Sequence, residues 1–199
     1  MTEKPKPSPF VEELYALWSR YYLFTAQRRV VDLVLEHYDD LVIPHPSRSF
    51  LYQTALDAMI LDLVVLWDVN GKGSLVSVAK RLTSTPEQDL AAYVGRVRSG
   101  QDAREAGRFI DSELQKISPT LAKLITARNK TIAHLDRPDS QQPFSVGRDG
   151  IDSIQTTSLG ALKNLTALVD EFPPVGGELI TAAGENLVQD LRRSTRGDN

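Results

Sequence analysis

Arg128, Asn129, Lys130, His134, Asp136 and Arg137 stand in one short run, Arg128-Asn129-Lys130-Thr131-Ile132-Ala133-His134-Leu135-Asp136-Arg137. An imidazole with an unperturbed pKa of about 6.5 gives or takes a proton near neutrality. A guanidinium grips a phosphate through two parallel N–H donors, and an asparagine amide can bond a phosphate oxygen or orient the histidine. The run therefore gathers a proton-transfer group and several charged groups in one place, and Arg128, His134, Asn129, Lys130, Asp136 and Arg137 are the candidate site residues.

Position matters as much as type. Leu121, Ile125, Arg128, Ile132 and Leu135 recur at steps of four and three, the spacing of a helix face turned inward. Arg128 is then expected on an inner stripe, where a guanidinium requires an anionic partner or a phosphate. Pro138 disfavours helix at Arg137, so the helix is expected to end just past His134. On an unbroken helix, Arg128 and His134 lie about 120° apart around the axis and about 9 Å apart along it. Lys130, four residues before His134, is the one stacked with it. Either the helix frays before His134, or an arginine from one subunit meets a histidine from another.

The elements that must hold this run all read as helices. Leu14, Leu17, Tyr21, Phe24, Val31 and Leu35 form a three-four seam over residues 9–37, interrupted by Arg28; it suits a core face or a subunit interface equally. Pro44-His45-Pro46 reads as an extended connection. A second helix over residues 47–68 is apolar nearly all round between Leu56 and Trp67, as for a helix in the middle of a bundle. Within it Asp62 is expected to be deep and held by an ion pair or a strong hydrogen bond, with Arg128 or Arg28 as candidate partner. Asn70-Gly71-Lys72-Gly73-Ser74 has turn composition and lacks the preceding strand and full pattern of a phosphate loop. Ser74 should cap a short helix from Leu75 to Leu82. Thr85 and Gln88 suit a capping box around Pro86 for the next, ended by Gly100.

Residues 102–117 read as a helix with Phe109, Ile110, Leu114 and Ile117 inward. Ser118-Pro119 either starts the central stretch anew or kinks a continuing helix. Residues 139–150 read as a loop, Ile151 to Phe172 as a helix stopped by Pro173-Pro174, and 177–192 as a final helix. No long alternation of period two suggests a sheet. The expected fold is all-α, an antiparallel helical bundle with short accessory helices. One domain over 9–192 is expected, with disordered ends at 1–8 and 193–199.

Of the 199 residues, 41% are apolar and 25% charged, in the range of one globular domain. No cysteine and only three histidines are present, which removes disulfides and makes a structural zinc site improbable. No metal or other cofactor is expected. A net charge of −3 excludes broad basic coverage for duplex DNA, so any nucleic-acid contact is focal. The polar, proline-rich start lacks a signal peptide's apolar core. The run from Leu56 to Trp67, broken by two aspartates, is short for a bilayer. Both point to a cytoplasmic protein without a membrane partner.

An arginine four to six residues ahead of a histidine is expected about 0.7 times by chance in this composition, so the neighbouring residues must carry any assignment. The run from Arg128 to Arg137 resembles the signature region of the HEPN superfamily (higher eukaryotes and prokaryotes nucleotide-binding). Together with Leu66-Trp67-Asp68 ending an acid-bearing apolar helix, it is similar to the abortive-infection U-type branch. The resemblance spans the second helix to about Leu168. It implies a helical homodimer whose paired arginines and histidines cut RNA without metal, as a toxin or phage-defence effector with an antitoxin or defence partner protein. His134, Arg128 and Asn129 would then be the reacting residues, His134 serving the attacking 2′-hydroxyl or the leaving 5′-oxygen, Arg128 the phosphate, and Asn129 a phosphate oxygen or the histidine, with Lys130, Asp136 and Arg137 as substrate contacts. Some active branches carry a tyrosine soon after the histidine, where Leu135-Asp136-Arg137 stands here. A HEPN-like dimer that binds RNA, nucleotide or protein without cutting is the alternative. A third reading needs no chemistry: Arg128 pairs with Asp62, and His134 faces the negative end of its helix.

Overall fold

The computed structural model describes residues 7–39, 41, 45–95, 100–134, 146–170 and 172, excepting the side chains of 127, 128 and 130–134. Among these the chain is all-α, with six helices and no strand: α1 (Pro9–Glu36), α2 (His45–Leu66), α3 (Leu75–Ser84), α4 (Glu87–Val94), α5 (Gly100–His134) and α6 (Arg148–Thr166). The expected final helix over 177–192, the expected disordered tail over 193–199 and most of the expected N-terminal arm lie outside the described residues. By its contacts the chain divides into two compact units, Met1–Trp18 with Val64–Pro174, and Ser19–Leu63 with Val175–Asn199.

In the first unit, α5 is the element on which α3, α4 and α6 pack. Ala103, Ala106, Ile110, Ile117, Leu121 and Leu124 on α5 are buried, a three-four series that keeps one face inward. Phe109 and Leu114, expected inward, are half-buried. Two tryptophans anchor to α6. Trp67 donates its indole N–H to Ser158 Oγ at 2.8 Å, and Trp18 donates to Thr166 Oγ1 at 2.9 Å. Each hydroxyl sends its own proton back to the carbonyl four residues earlier, Ile154 and Leu162, which leaves its lone pairs for the indole.

Close approach explains Gly107. A Cβ there would lie 2.8 Å from Thr83 Cγ2 and 2.9 Å from the Ala79 carbonyl oxygen, and backbone cannot retreat as a side chain can. Gly107→Ala is therefore expected to destabilise by about 1–2 kcal/mol despite alanine's better helix propensity, because overpacking costs more than that gain. Urea unfolding of the variant against the wild type measures it.

Local capping follows the sequence in part. Ser74 caps α3 as expected, accepting from the Ser77 N–H, while Ser77 Oγ accepts from the Ser74 N–H. α4 departs from expectation: Pro86 occupies its cap, no side-chain bond closes there, and Gly95 at φ 86 ends it. Only glycine takes that φ at little cost. Gly100, expected to end this helix, opens α5 instead. α5 runs on through Pro119, so the continued helix replaces a fresh start at Ser118-Pro119. Pro119 is exposed, on the solvent side of the helix, where water can satisfy a carbonyl that loses its N–H donor.

In the second unit, α2 starts two residues before expectation, with Pro46 inside its first turn, the one place where a missing N–H costs nothing. The expected extended connection Pro44-His45-Pro46 is thus helical at His45 and Pro46, while Pro44 lies outside the described residues. Met59, Ile60 and Leu63 are buried, but Leu61 is 46% exposed. The expectation of burial all round thus fails: α2 has an inner and an outer face. Leu35, the last residue of the α1 seam, is likewise 55% exposed. By length and composition alone, the 22 residues of α2 would suffice to cross a membrane, contrary to the short run counted from Leu56.

Candidate functional site

The Arg128-to-His134 run forms the C-terminal two turns of α5, whose 35 residues reach His134 as helix. At 1.5 Å per residue the element is about 52 Å long; its expected end before Pro138 lies outside the described residues. Buried Ile117, Leu121 and Leu124 precede Arg128 at steps of four, three and four, so position 128 continues the register of the inward face. Ile125, counted on that stripe from sequence, is 38% exposed, and Leu124 takes its place. Three-four spacing admits two overlapping stripes here, and packing chose the other. Asn129 is exposed.

The side chains of Arg128, Lys130 and His134, and all of Asp136 and Arg137, lie outside the described residues. The backbone still decides one question: the helix does not fray before His134. Arg128 and His134 keep their separation of about 120° around one helix.

Asp62 has a partner other than the two expected. Arg20 Nη1 lies 3.4 Å from Asp62 Oδ1, and Gln27 also hydrogen-bonds the carboxyl. Arg28 instead meets Asp32 one turn along its own helix, Nε to Oδ2 3.8 Å. Gln27 Oε1 is buried without a hydrogen-bond partner, a cost of about 1–3 kcal/mol.

Burial raises the Asp62 carboxyl above the usual value of 3.8, partly offset by Gln27 and then Arg20. Burial likewise raises Asp57, partly offset by its bond from Gln53. A carboxyl with a higher pKa folded than unfolded binds more protons in the folded state between those two values. The stability both groups contribute is complete below 3.8 and is lost as pH rises through the raised values. Asp57→Asn and Asp62→Asn are expected to flatten that dependence of the melting temperature on pH, followed by circular dichroism from pH 3 upward. A wild-type slope retained in both variants would refute the assignment.

One polar cluster has no sequence signal, because its members are far apart in the chain. Glu13 on α1 accepts from Arg81 on α3 through Oε1, and from the Tyr93 hydroxyl on α4 through Oε2 at 2.6 Å. The Arg81 guanidinium lies over the Tyr93 ring, 5.7 Å from its centroid, and Phe10 meets that ring edge-on. Burial, then the Glu13 carboxylate, pushes the Tyr93 hydroxyl well above the usual 10.0. A phenol held neutral on a carboxylate is a strut between helices and offers no nucleophile or base at neutral pH.

Among the described residues, no group of three or more His, Asp or Glu side chains stands close enough to hold a metal ion. Set against family models, characterised proteins and solved structures, the chain matches none.

Proposed function

We propose that the chain is a HEPN-like ribonuclease that acts as a homodimer, cutting RNA by attack of a ribose 2′-hydroxyl without a metal ion. The reading is carried by the residues Arg128, Asn129, Lys130 and His134 on the last two turns of one helix. An unbroken helix holds Arg128 and His134 on different faces; a shared site then takes its arginine from one copy and its histidine from the other. The 2′-oxygen bonds to phosphorus as its proton passes to a base. The bond from phosphorus to the 5′-oxygen breaks, and that oxygen receives a proton from the acid. In each site His134 of one copy handles one of these two proton transfers and water the other, while Arg128 of the other copy neutralises the charge gathering on the phosphoryl oxygens. Lys130, Asp136 and Arg137 border the strand. The protein acts in the cytoplasm as a toxin or phage-defence effector, restrained by a partner protein.

The test is incubation of purified protein with RNA in excess chelator. Products ending in 2′,3′-cyclic phosphate support the reading; intact RNA overturns it. Leu135-Asp136-Arg137, where some active branches have a tyrosine, favours a second reading, a non-catalytic dimer that binds RNA, nucleotide or protein. That reading expects RNA retention in a gel-shift assay with no products.

A further inference from the structure

The outer face of α2 carries a self-complementary pattern. Phe50 is 73% exposed, the most open large apolar side chain among the described residues, and Leu61 is 46% exposed. Eleven residues turn a helix about 1100°, which leaves the two only about 20° apart. Leu23 and Leu35 on α1, also exposed, lie about 120° apart by the same arithmetic and form no stripe. Between Phe50 and Leu61 on the α2 stripe stand Thr54, exposed, and Asp57, half-buried and bonded by Gln53 at 2.8 Å. The stripe reads apolar, hydroxyl, carboxylate, apolar.

A twofold contact requires that when residue i meets j, j also meets i. Phe50 with Leu61 and Thr54 with Asp57 share one midpoint, between Ala55 and Leu56. A second α2 laid antiparallel about that point brings both pairs together at once. Each ring covers the partner's leucine, and each Thr54 hydroxyl donates to the partner's Asp57 carboxylate. We infer that the outer face of α2 binds the same face of a second copy of this chain, in antiparallel register centred between Ala55 and Leu56.

A lipid surface is the competing occupant, since α2 is long and apolar enough for one and only 33% of its most apolar stretch is buried. Asp57 in mid-stripe argues against it, because a carboxylate in hydrocarbon costs several kcal/mol, whereas a facing hydroxyl satisfies it. A single helix pair is small beside the roughly 800 Å² per partner of standard interfaces, so the association should be reversible and concentration-dependent. The inference shares only the need for two copies with the ribonuclease reading, and its test contains no RNA, so either can fail alone.

The chain has no cysteine, so single introduced thiols report the register directly. Full-length Phe50→Cys and Leu61→Cys proteins are mixed and oxidised. A disulfide-linked heterodimer is expected, several-fold more abundant than the homodimer from either variant alone. In this register the two copies of residue 50 lie about 16 Å apart along the axis, far beyond the roughly 4 Å between Cβ atoms that a disulfide spans. Sedimentation of the wild type should show a monomer–dimer equilibrium, shifted at least tenfold toward monomer by Leu61→Arg. Phe50→Arg reads the same shift if that variant fails to fold. Asp57→Asn keeps an acceptor and removes the two like charges near the axis, so it should tighten the dimer. Four results overturn the inference: a monomer at every concentration, a dimer indifferent to both arginine variants, equal cross-linking in the unmixed samples, or a monomer that floats with phosphatidylcholine–phosphatidylglycerol vesicles.

Discussion

Alanine in place of His134 is expected to lower the rate of RNA cleavage by about a hundred- to ten-thousand-fold, the range set by loss of a positioned acid or base. Under the proposed function one histidine per copy serves the reaction, so mixing His134→Ala with Arg128→Ala protein is the sharper measurement. If arginine and histidine come from different copies, two inactive variants combined at equal concentration form heterodimers with one intact Arg–His pair. They recover about a quarter of wild-type activity, since half of randomly paired dimers are mixed and each holds one of two sites. If both residues act within one chain, the mixture stays inactive. Arg128→Lys keeps the charge but loses the planar fork, and is expected to recover little. A wild-type rate in His134→Ala, with melting temperature unchanged, would end the ribonuclease reading.

What could be read in advance followed the range of the interactions. Helix positions depend on spacing and caps within a few residues, and Ser74 and the seam from Leu14 to Val31 marked theirs without tertiary information. The misread boundaries involve residues whose meaning depends on what lies opposite. Pro119 stops a helix in the core but is tolerated on the solvent face of α5. Gly95 and Gly100 both suit a helix end, and the conformation of the chain at Gly95 chose between them. Contacts across the chain were less legible. Asp62 was expected to need an ion pair or a strong hydrogen bond, but several arginines qualify by charge, and among the described side chains it is Arg20 on α1, beside Gln27, that meets it. The cluster of Glu13, Arg81 and Tyr93 joins three helices over separations of 68 and 80 residues, beyond the reach of any local pattern. At the candidate site the sequence foresaw that the helix reaches His134; under the proposed function the partners of its side chains are a second copy and an RNA strand, which no local pattern encodes.

Trp67→Ala is expected to remove about 3–5 kcal/mol of stability, the usual cost of deleting a fully buried aromatic side chain. Against a typical total of about 5–15 kcal/mol, that leaves the first unit marginal or unfolded at 37 °C. Trp67 is 0% exposed, and Ser158, which accepts its indole proton, is also 0% exposed. The smaller change at that bond separates packing from polarity. Ser158→Ala deletes one atom and strands a buried N–H, so it should cost about 1–3 kcal/mol, more than the roughly 1 kcal/mol net worth of the bond. Trp67→Phe removes the N–H along with part of the ring. In the Trp67→Phe background Ser158→Ala should therefore cost much less, since removing both partners leaves no orphan. A double-mutant cycle by urea unfolding reads that coupling, and costs that simply add would mean the indole N–H finds another acceptor. Coupling is expected because the Ser158 proton is already committed to the Ile154 carbonyl, which fixes the hydroxyl as acceptor and leaves the indole no other role to fill.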